Sequence, residues 1–243
     1  LLGDASYDYK DRLSGNTNFV PAYQSWNSHS PLGSYVSDDY VGFLDDNESD
    51  QLSSTLDIGI GRIMVNNTTQ AQDVINKTIH YMSSPSCMRP WRNTLTFVGD
   101  DEDGNVHMRQ SDFLATKIDT TYPNYNINKI YLDAYQQVSN AGGSTYPDVN
   151  IAIDKATEKG SKIINYVGHG GELGLAHERI LGLTQIKGYQ NFDALALYVT
   201  ATCEFSRFDD PERTSAGEFT LLNPDGAAMG LLTTTRLVYS SPN

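Results

Sequence analysis

From Leu56 onward, short apolar runs alternate with stretches whose apolar positions recur every three or four residues. The runs predict strands at Asp57–Ile63, Thr94–Gly99, Asn128–Leu132, Lys162–Val167, Ala194–Thr200 and Ala227–Thr233. Helices are predicted between them. Thr69-Gln70-Ala71-Gln72 reads as a capping box ahead of Val74, Ile75, Ile79 and Met82. Met108 to Ile118 places Leu114, Ala115 and Ile118 on one face, and Asp148 caps a helix that buries Ala152, Ile153 and Ala156 and stops at Gly160. Ser215-Ala216-Gly217-Glu218 is a second capping box, before Phe219, Leu221 and Leu222. Alternating strands and helices predict an α/β fold, a mostly parallel sheet with helices on both faces. Residues 1–55, rich in Tyr, Ser, Asp, Asn and Gly, read as loops with short strands. The expected division is a truncated N-terminal lobe, 1–63, and a catalytic domain, 64–243.

In open parallel sheets, chemistry collects at the carboxyl ends of the strands. Three predicted strands end in reactive or glycine-rich sequence: Gly99-Asp100-Asp101, Gly168-His169-Gly170-Gly171 and Thr202-Cys203-Glu204-Phe205. The interval between His169 and Cys203 fits one crossover connection, which predicts both side chains at the same end of neighbouring strands. A thiol is mostly protonated at neutral pH, and an adjacent imidazolium converts it to a nucleophilic thiolate. His169 then serves as the proton donor to a leaving amine. The N–H groups of Gly170 and Cys203 are the expected oxyanion hole, and Asp100 or Asp101 the acid that orients the imidazole. Gly171, Glu204 and Phe205 are expected to line the substrate site. A cysteine at a strand end is more often an inert core residue, and a Gly-His-Gly turn alone is weak. The pairing of the two at crossover spacing is what favours a cysteine peptidase.

Composition narrows the partners. Lys and Arg number 17 against 30 Asp and Glu, a formal charge of −13, which disfavours nucleic acid and anionic membrane surfaces. A hydrophobic fraction of 39 % and a charged fraction of 19 % are those of a globular chain. The opening Leu1-Leu2-Gly3-Asp4, without an initiator Met, reads as the end of a strand in an excised part of a longer protein. Of the two cysteines, Cys87 has no histidine near it in sequence and is expected to be structural. His107 and His177 lack metal-ligand spacing, so no catalytic metal and no required cofactor is expected. The acidic turns Asp45–Asp50 and Asp101–Asn105 each offer oxygen ligands for a structural Ca²⁺ but fail the EF-hand pattern, and solvated turns are the better default. Asn47-Glu48-Ser49, Asn67-Thr68-Thr69 and Asn76-Lys77-Thr78 match the glycosylation triplet, a frequent chance match.

Asn165-Tyr166-Val167-Gly168-His169-Gly170 and Thr200-Ala201-Thr202-Cys203 resemble the gingipain family of cysteine peptidases, which share the caspase-like fold. The run from Thr202 to Glu218, with Leu232-Thr233-Thr234-Thr235-Arg236-Leu237-Val238-Tyr239, is similar to the PorU-like branch, the C-terminal signal peptidases of the type IX secretion system of Bacteroidota. Gly3–Asp8, Ser37–Tyr40, Asp57–Arg62 and Trp91–Asn93 extend the likeness over nearly the whole chain. The resemblance implies His169 and Cys203 as the catalytic pair, with the accessory acid in Gly99-Asp100-Asp101. It implies protein substrates with C-terminal sorting domains, a lipopolysaccharide amine as acyl acceptor, other type IX secretion components as partners, and a place on the outer face of the outer membrane. Arg-specific gingipains carry an acidic pocket residue in the following segment, where this sequence has His107, which speaks against Arg-specific cleavage. A gingipain-like secreted endopeptidase and a silent scaffold are the alternatives.

Overall fold

Five strands form one parallel sheet in the order β5-β4-β3-β1-β2. They are β1 (Thr94–Gly99), β2 (Asn126–Tyr131), β3 (Ile163–Val167), β4 (Ala196–Ala201) and β5 (Ala228–Leu232). The computed structural model describes residues 1–26, 29–30, 32–46, 48 and 55–239. Strand order turns back between β1 and β3, the switch point at which such sheets place their sites.

Among the described residues five α-helices connect and flank the strands: α1 (Thr68–Ser83), α2 (Glu102–Thr121), α3 (Pro147–Lys159), α4 (Leu183–Gly188) and α5 (Ala216–Leu222). The alternation of side chains along the strands assigns them to faces. Leu95 and Phe97 of β1 pack with Ala115 of α2, while Val98, Ile164 and Tyr166 pack with Val149 and Ile153 of α3. Helices therefore cover both faces, as the sequence predicts. Tyr166 and Tyr198 are fully buried in the larger core. Each contributes on the order of 1.5–3 kcal/mol of hydrophobic stabilisation. The Tyr198 hydroxyl meets Thr157 Oγ1 at 2.9 Å.

The predicted strand Asp57–Ile63 is an extended loop that makes only a one-residue bridge, Leu2 to Ile63. Residues 1–63 form no core of their own among those described. Ala5, Ala22 and Val36 share a core with Met64, Val74, Phe208 and Leu221. Asn47, Ser49 and Asp50 of the first acidic turn and first glycosylation triplet lie outside the described residues.

The N-cap of α1 lies two residues before the predicted box. Asn67 caps it by accepting the Gln70 N–H at 2.9 Å, and Gln70 Oε1 accepts the Asn66 N–H. Its buried face carries Val74 and Lys77, while Ile79 and Met82 are exposed. The Lys77 ammonium reaches four carbonyl oxygens, of Leu221 and Asn223 at 2.7 Å and Gly226 and Ala228 at 3.1 Å. That cage ties α1 to the connection between α5 and β5. Asp148 lies in the first turn of α3, behind Tyr146 and Pro147, instead of capping it. The Ser215–Glu218 box of α5 forms as predicted. Among the described residues no helix is long and apolar enough to cross a membrane.

Candidate active site

Gly99, Val167 and Ala201 pair across β1, β3 and β4 as one row. The ladder runs one step further, with Asp100 N–H donating to Val167 O at 3.1 Å and Gly168 N–H to Ala201 O at 3.2 Å. His169 and Cys203 each stand two residues past the row, on adjacent strands whose spacing is about 4.8 Å. Sequence spacing predicts this placement, and the register produces it.

Around His169 the backbone is tightly held. Asp100, with no exposed surface, accepts the His169 N–H at 2.8 Å and the Glu102 N–H at 3.4 Å. The Tyr166 hydroxyl donates to the His169 carbonyl oxygen at 2.5 Å and lies 3.3 Å from Asp100 Oδ2. Burial, and then Asp100 beside it, push the Tyr166 phenol well above its ordinary pKa, so it stays a donor. Gly168 has to be a glycine: a Cβ there would lie 2.3 Å from Asp100 Cβ and 2.5 Å from the Tyr166 hydroxyl.

The acid that meets the imidazole differs from the expected pair. Asp100 holds the His169 backbone, and Asp101 accepts the Tyr146 hydroxyl at 2.7 Å. Asp103 Oδ2 lies 3.0 Å from His169 Nε2 and 3.2 Å from His107 Nε2. Those bonds, from His169 first and His107 after, hold the Asp103 carboxyl below its usual range against a smaller opposing desolvation. Glu102 Oε2 is 3.6 Å from His169 Nε2 and 2.9 Å from His177 Nδ1. The hydrogen bond to Glu102 raises the His177 pKa, opposed by partial burial. The His177 ring stacks on His169 at 4.9 Å, and His107 meets it edge-on at 5.2 Å.

A left-handed turn delivers these acids. Asp103, Gly104 and Asn105 have φ of 53°, 62° and 63°, interrupting α2 just after its start. Asp, Gly and Asn are the residues that tolerate this region. The turn was legible as Asp-Gly-Asn, but which carboxylate it aims at the ring was not. Two donor sets, Glu102–His169–His177 and Asp103–His107–His169, have ligand atoms within 4.8 Å of one another. Spacing along the chain concealed both sets, which the fold gathers from separate connections. The acids of the Asp101–Asn105 turn are thus engaged by Tyr146 and the histidines.

The loop carrying Cys203 follows β4. Cys203 is half-buried, and its thiol donates to Val238 O at 3.5 Å. No hydrogen bond joins the thiol to the His169 ring in this arrangement; catalytic bonds often tighten only when substrate binds. Residues 233–239 run alongside, Glu204 N–H donating to Arg236 O and Ser206 N–H to Thr234 O. Gly170 packs directly against the residue before Cys203: a Cβ on it would lie 2.5 Å from Thr202 Oγ1. Gly170 and Gly171 form a small antiparallel ribbon with Gly174–Leu175, half-buried beside that loop. Phe205, expected at the substrate surface, is fully buried in the larger core and packs there instead. Glu204 is partly exposed beside Arg207, at 4.0 Å. Glu172, unmarked in the sequence, is clamped by Arg207 at 2.6 Å and Arg213 at 2.5 Å and so joins the loop after His169 to the loop after Cys203.

Residues 1–243 match the sequence profile of peptidase family C25. The fold is similar to that of the Arg-specific cysteine proteinase gingipain R (RgpB), with a TM-score of 0.66 and 19 % identity over 84 % of this chain and 45 % of that one. The Porphyromonas gingivalis complex of RgpB pro- and mature domains gives 0.64 and 18 %, over 83 % and 45 %. The chain spans less than half the length of these proteins. No curated protein matches the sequence.

Proposed function

The chain belongs to peptidase family C25, a gingipain-like family of cysteine peptidases, and on that premise we propose that Cys203 is the nucleophile and His169 its acid–base partner. One observation carries the assignment: the pairing of Val167 with Ala201 sets both residues two positions beyond the same row of the sheet. The thiolate attacks the scissile carbonyl carbon, and a C–S bond forms as the C–N bond breaks. His169 gives its proton to the leaving amine. Asp103 orients the ring and stabilises its cationic form, with Glu102 behind it. The N–H groups of Gly170 and Cys203 offer the negative oxygen its donors. No cofactor enters these steps.

The finer reading is a C-terminal signal peptidase of the type IX secretion system acting at the cell surface. Its acyl-enzyme is resolved by an amine of a lipopolysaccharide anchor, whose nitrogen attacks the thioester carbon, breaks the C–S bond and returns a proton to His169. What supports it is the resemblance of the run from Thr202 to Glu218, together with the His107 segment that departs from the Arg-specific pattern.

The test is iodoacetamide labelling of Cys203 against Cys87, read by mass spectrometry from pH 4 to 9. Cys87 has no exposed surface and burial pushes its thiol up, so it serves as the slow internal reference. Fast labelling of Cys203 well below the free-thiol range, lost in His169→Ala, supports the pair; equal rates, or no effect of His169→Ala, exclude it. Release of a cargo junction peptide with capture by an added amine separates the transpeptidase from a general endopeptidase, which degrades casein.

A further inference from the structure

We propose that His80, Cys87 and Asp193 form a binding site for a zinc-class divalent ion, at the opposite end of the sheet from His169. Sγ of Cys87, a ring nitrogen of His80 and a carboxylate oxygen of Asp193 all lie within 4.8 Å of one another. His80 Nε2 is 2.7 Å from Asp193 Oδ1, and the Ser86 hydroxyl donates to the same oxygen at 2.5 Å. The His80 ring is steadied against Phe192 at 4.5 Å. One thiol, one imidazole and one carboxylate suit a borderline-soft ion rather than Ca²⁺ or Mg²⁺. Tetrahedral zinc needs donor separations of about 3.3–3.6 Å. The pair at 2.7 Å opens slightly to reach that, which the half-exposed Asp193 side chain permits.

Metal binding releases the Cys87 thiol proton to water. The open side, where His80 and Asp193 reach solvent, takes a water as fourth ligand. Cys87 lies in the connection entering β1 and Asp193 in the one entering β4, two strands that do not pair. A bound ion therefore cross-links the amino ends of the sheet across β3.

The experiment uses Co²⁺ and Zn²⁺ on the full chain carrying Cys203→Ala, which leaves Cys87 as its one thiol. Expected are one ion per chain, a thiolate-to-Co²⁺ charge-transfer band, and a higher unfolding temperature with Zn²⁺. Adding Cys87→Ser removes the band; His80→Gln or Asp193→Asn weakens binding by at least about tenfold; His177→Ala leaves it unchanged. Co²⁺ binding without the thiolate band, or lost in His177→Ala, places the ion at the histidines around His169 and overturns the proposal, as does no binding at all. The variants alter Asp193, which is exposed, and His80, which is half-buried, so a folding defect of Cys87→Ser does not decide the outcome.

Discussion

Asp100 accepts the backbone N–H of His169 at 2.8 Å from a position with no exposed surface, so this acid sets where the imidazole leaves the sheet. The ring itself meets Asp103. The two acids therefore separate by assay. Asp100→Ala is expected to cost about 2–3 kcal/mol of stability in urea unfolding, the range for a lost charge-assisted hydrogen bond. Asp103→Asn leaves stability within about 0.5 kcal/mol and lowers the Cys203 alkylation or turnover rate by at least about tenfold. Equal effects of the two on stability exclude this division.

Gly168→Ala drives a methyl group into Asp100 Cβ and the Tyr166 hydroxyl, neither of which has room to move. Gly170→Ala pushes chiefly on the Thr202 side chain, with the Gly174 carbonyl oxygen farther off at 3.1 Å. Loss of activity is expected in both. Thermal melting distinguishes them: a drop of roughly 6–12 °C for Gly168→Ala, from about 3 kcal/mol of strain, and a small one for Gly170→Ala.

Glu172 grips Arg207 and Arg213 from a largely buried position. Glu172→Ala is expected to raise hydrogen exchange and proteolytic nicking between residues 204 and 213 while the sheet stays protected. Unchanged exchange there rules out the clamp.

Burial raises Glu218 to about 8 and Asp4 to about 6. Both are protonated in the folded chain where the unfolded chain has released its proton, so their contribution is fully present below about pH 4 and is lost as pH rises through 6 and 8. Lys77, lowered by burial to about 7, acts in the opposite sense above that pH. Between pH 6 and 7, Glu218 alone makes stability fall by about 1.4 kcal/mol per unit. Glu218→Gln keeps an oxygen for the Ser215 cap and is expected to flatten that slope in urea titrations.

Lys77→Met removes the ammonium from its four carbonyl oxygens and leaves them buried without a donor. A loss of about 3–5 kcal/mol is expected by chemical denaturation. A loss under about 1 kcal/mol shows that water replaces the ammonium.

The sheet was readable because its strands are short apolar runs, and β1 matches its predicted limits residue for residue. The end-of-strand placement of His169 and Cys203 was readable for the same reason, since parallel strands joined by crossovers point the same way. Helix faces were less so. In α1 the apolar Ile79 and Met82 face solvent while Lys77 is buried, because four carbonyl oxygens at the end of α5 compensate a charge that periodicity alone places outside. The partner of the imidazole was hidden by conformation: Asp101 and Asp103 are equivalent as letters, and only the left-handed turn decides which reaches the ring. Position just after a strand end predicts surface for Phe205, whereas the chain dives back into the core there. The His80–Cys87–Asp193 group draws on connections more than a hundred residues apart, beyond any local motif.

The pairing of Val167 with Ala201 has one more implication. The separation of His169 and Cys203 is measured by a ladder of backbone hydrogen bonds, whose pitch is indifferent to side-chain identity. Loops such as 204–213 and the glycine ribbon are then free to be lengthened, shortened or recharged without retuning the distance between the two groups. The spacing of the two groups and the make-up of the loops around them therefore rest on separate parts of the chain.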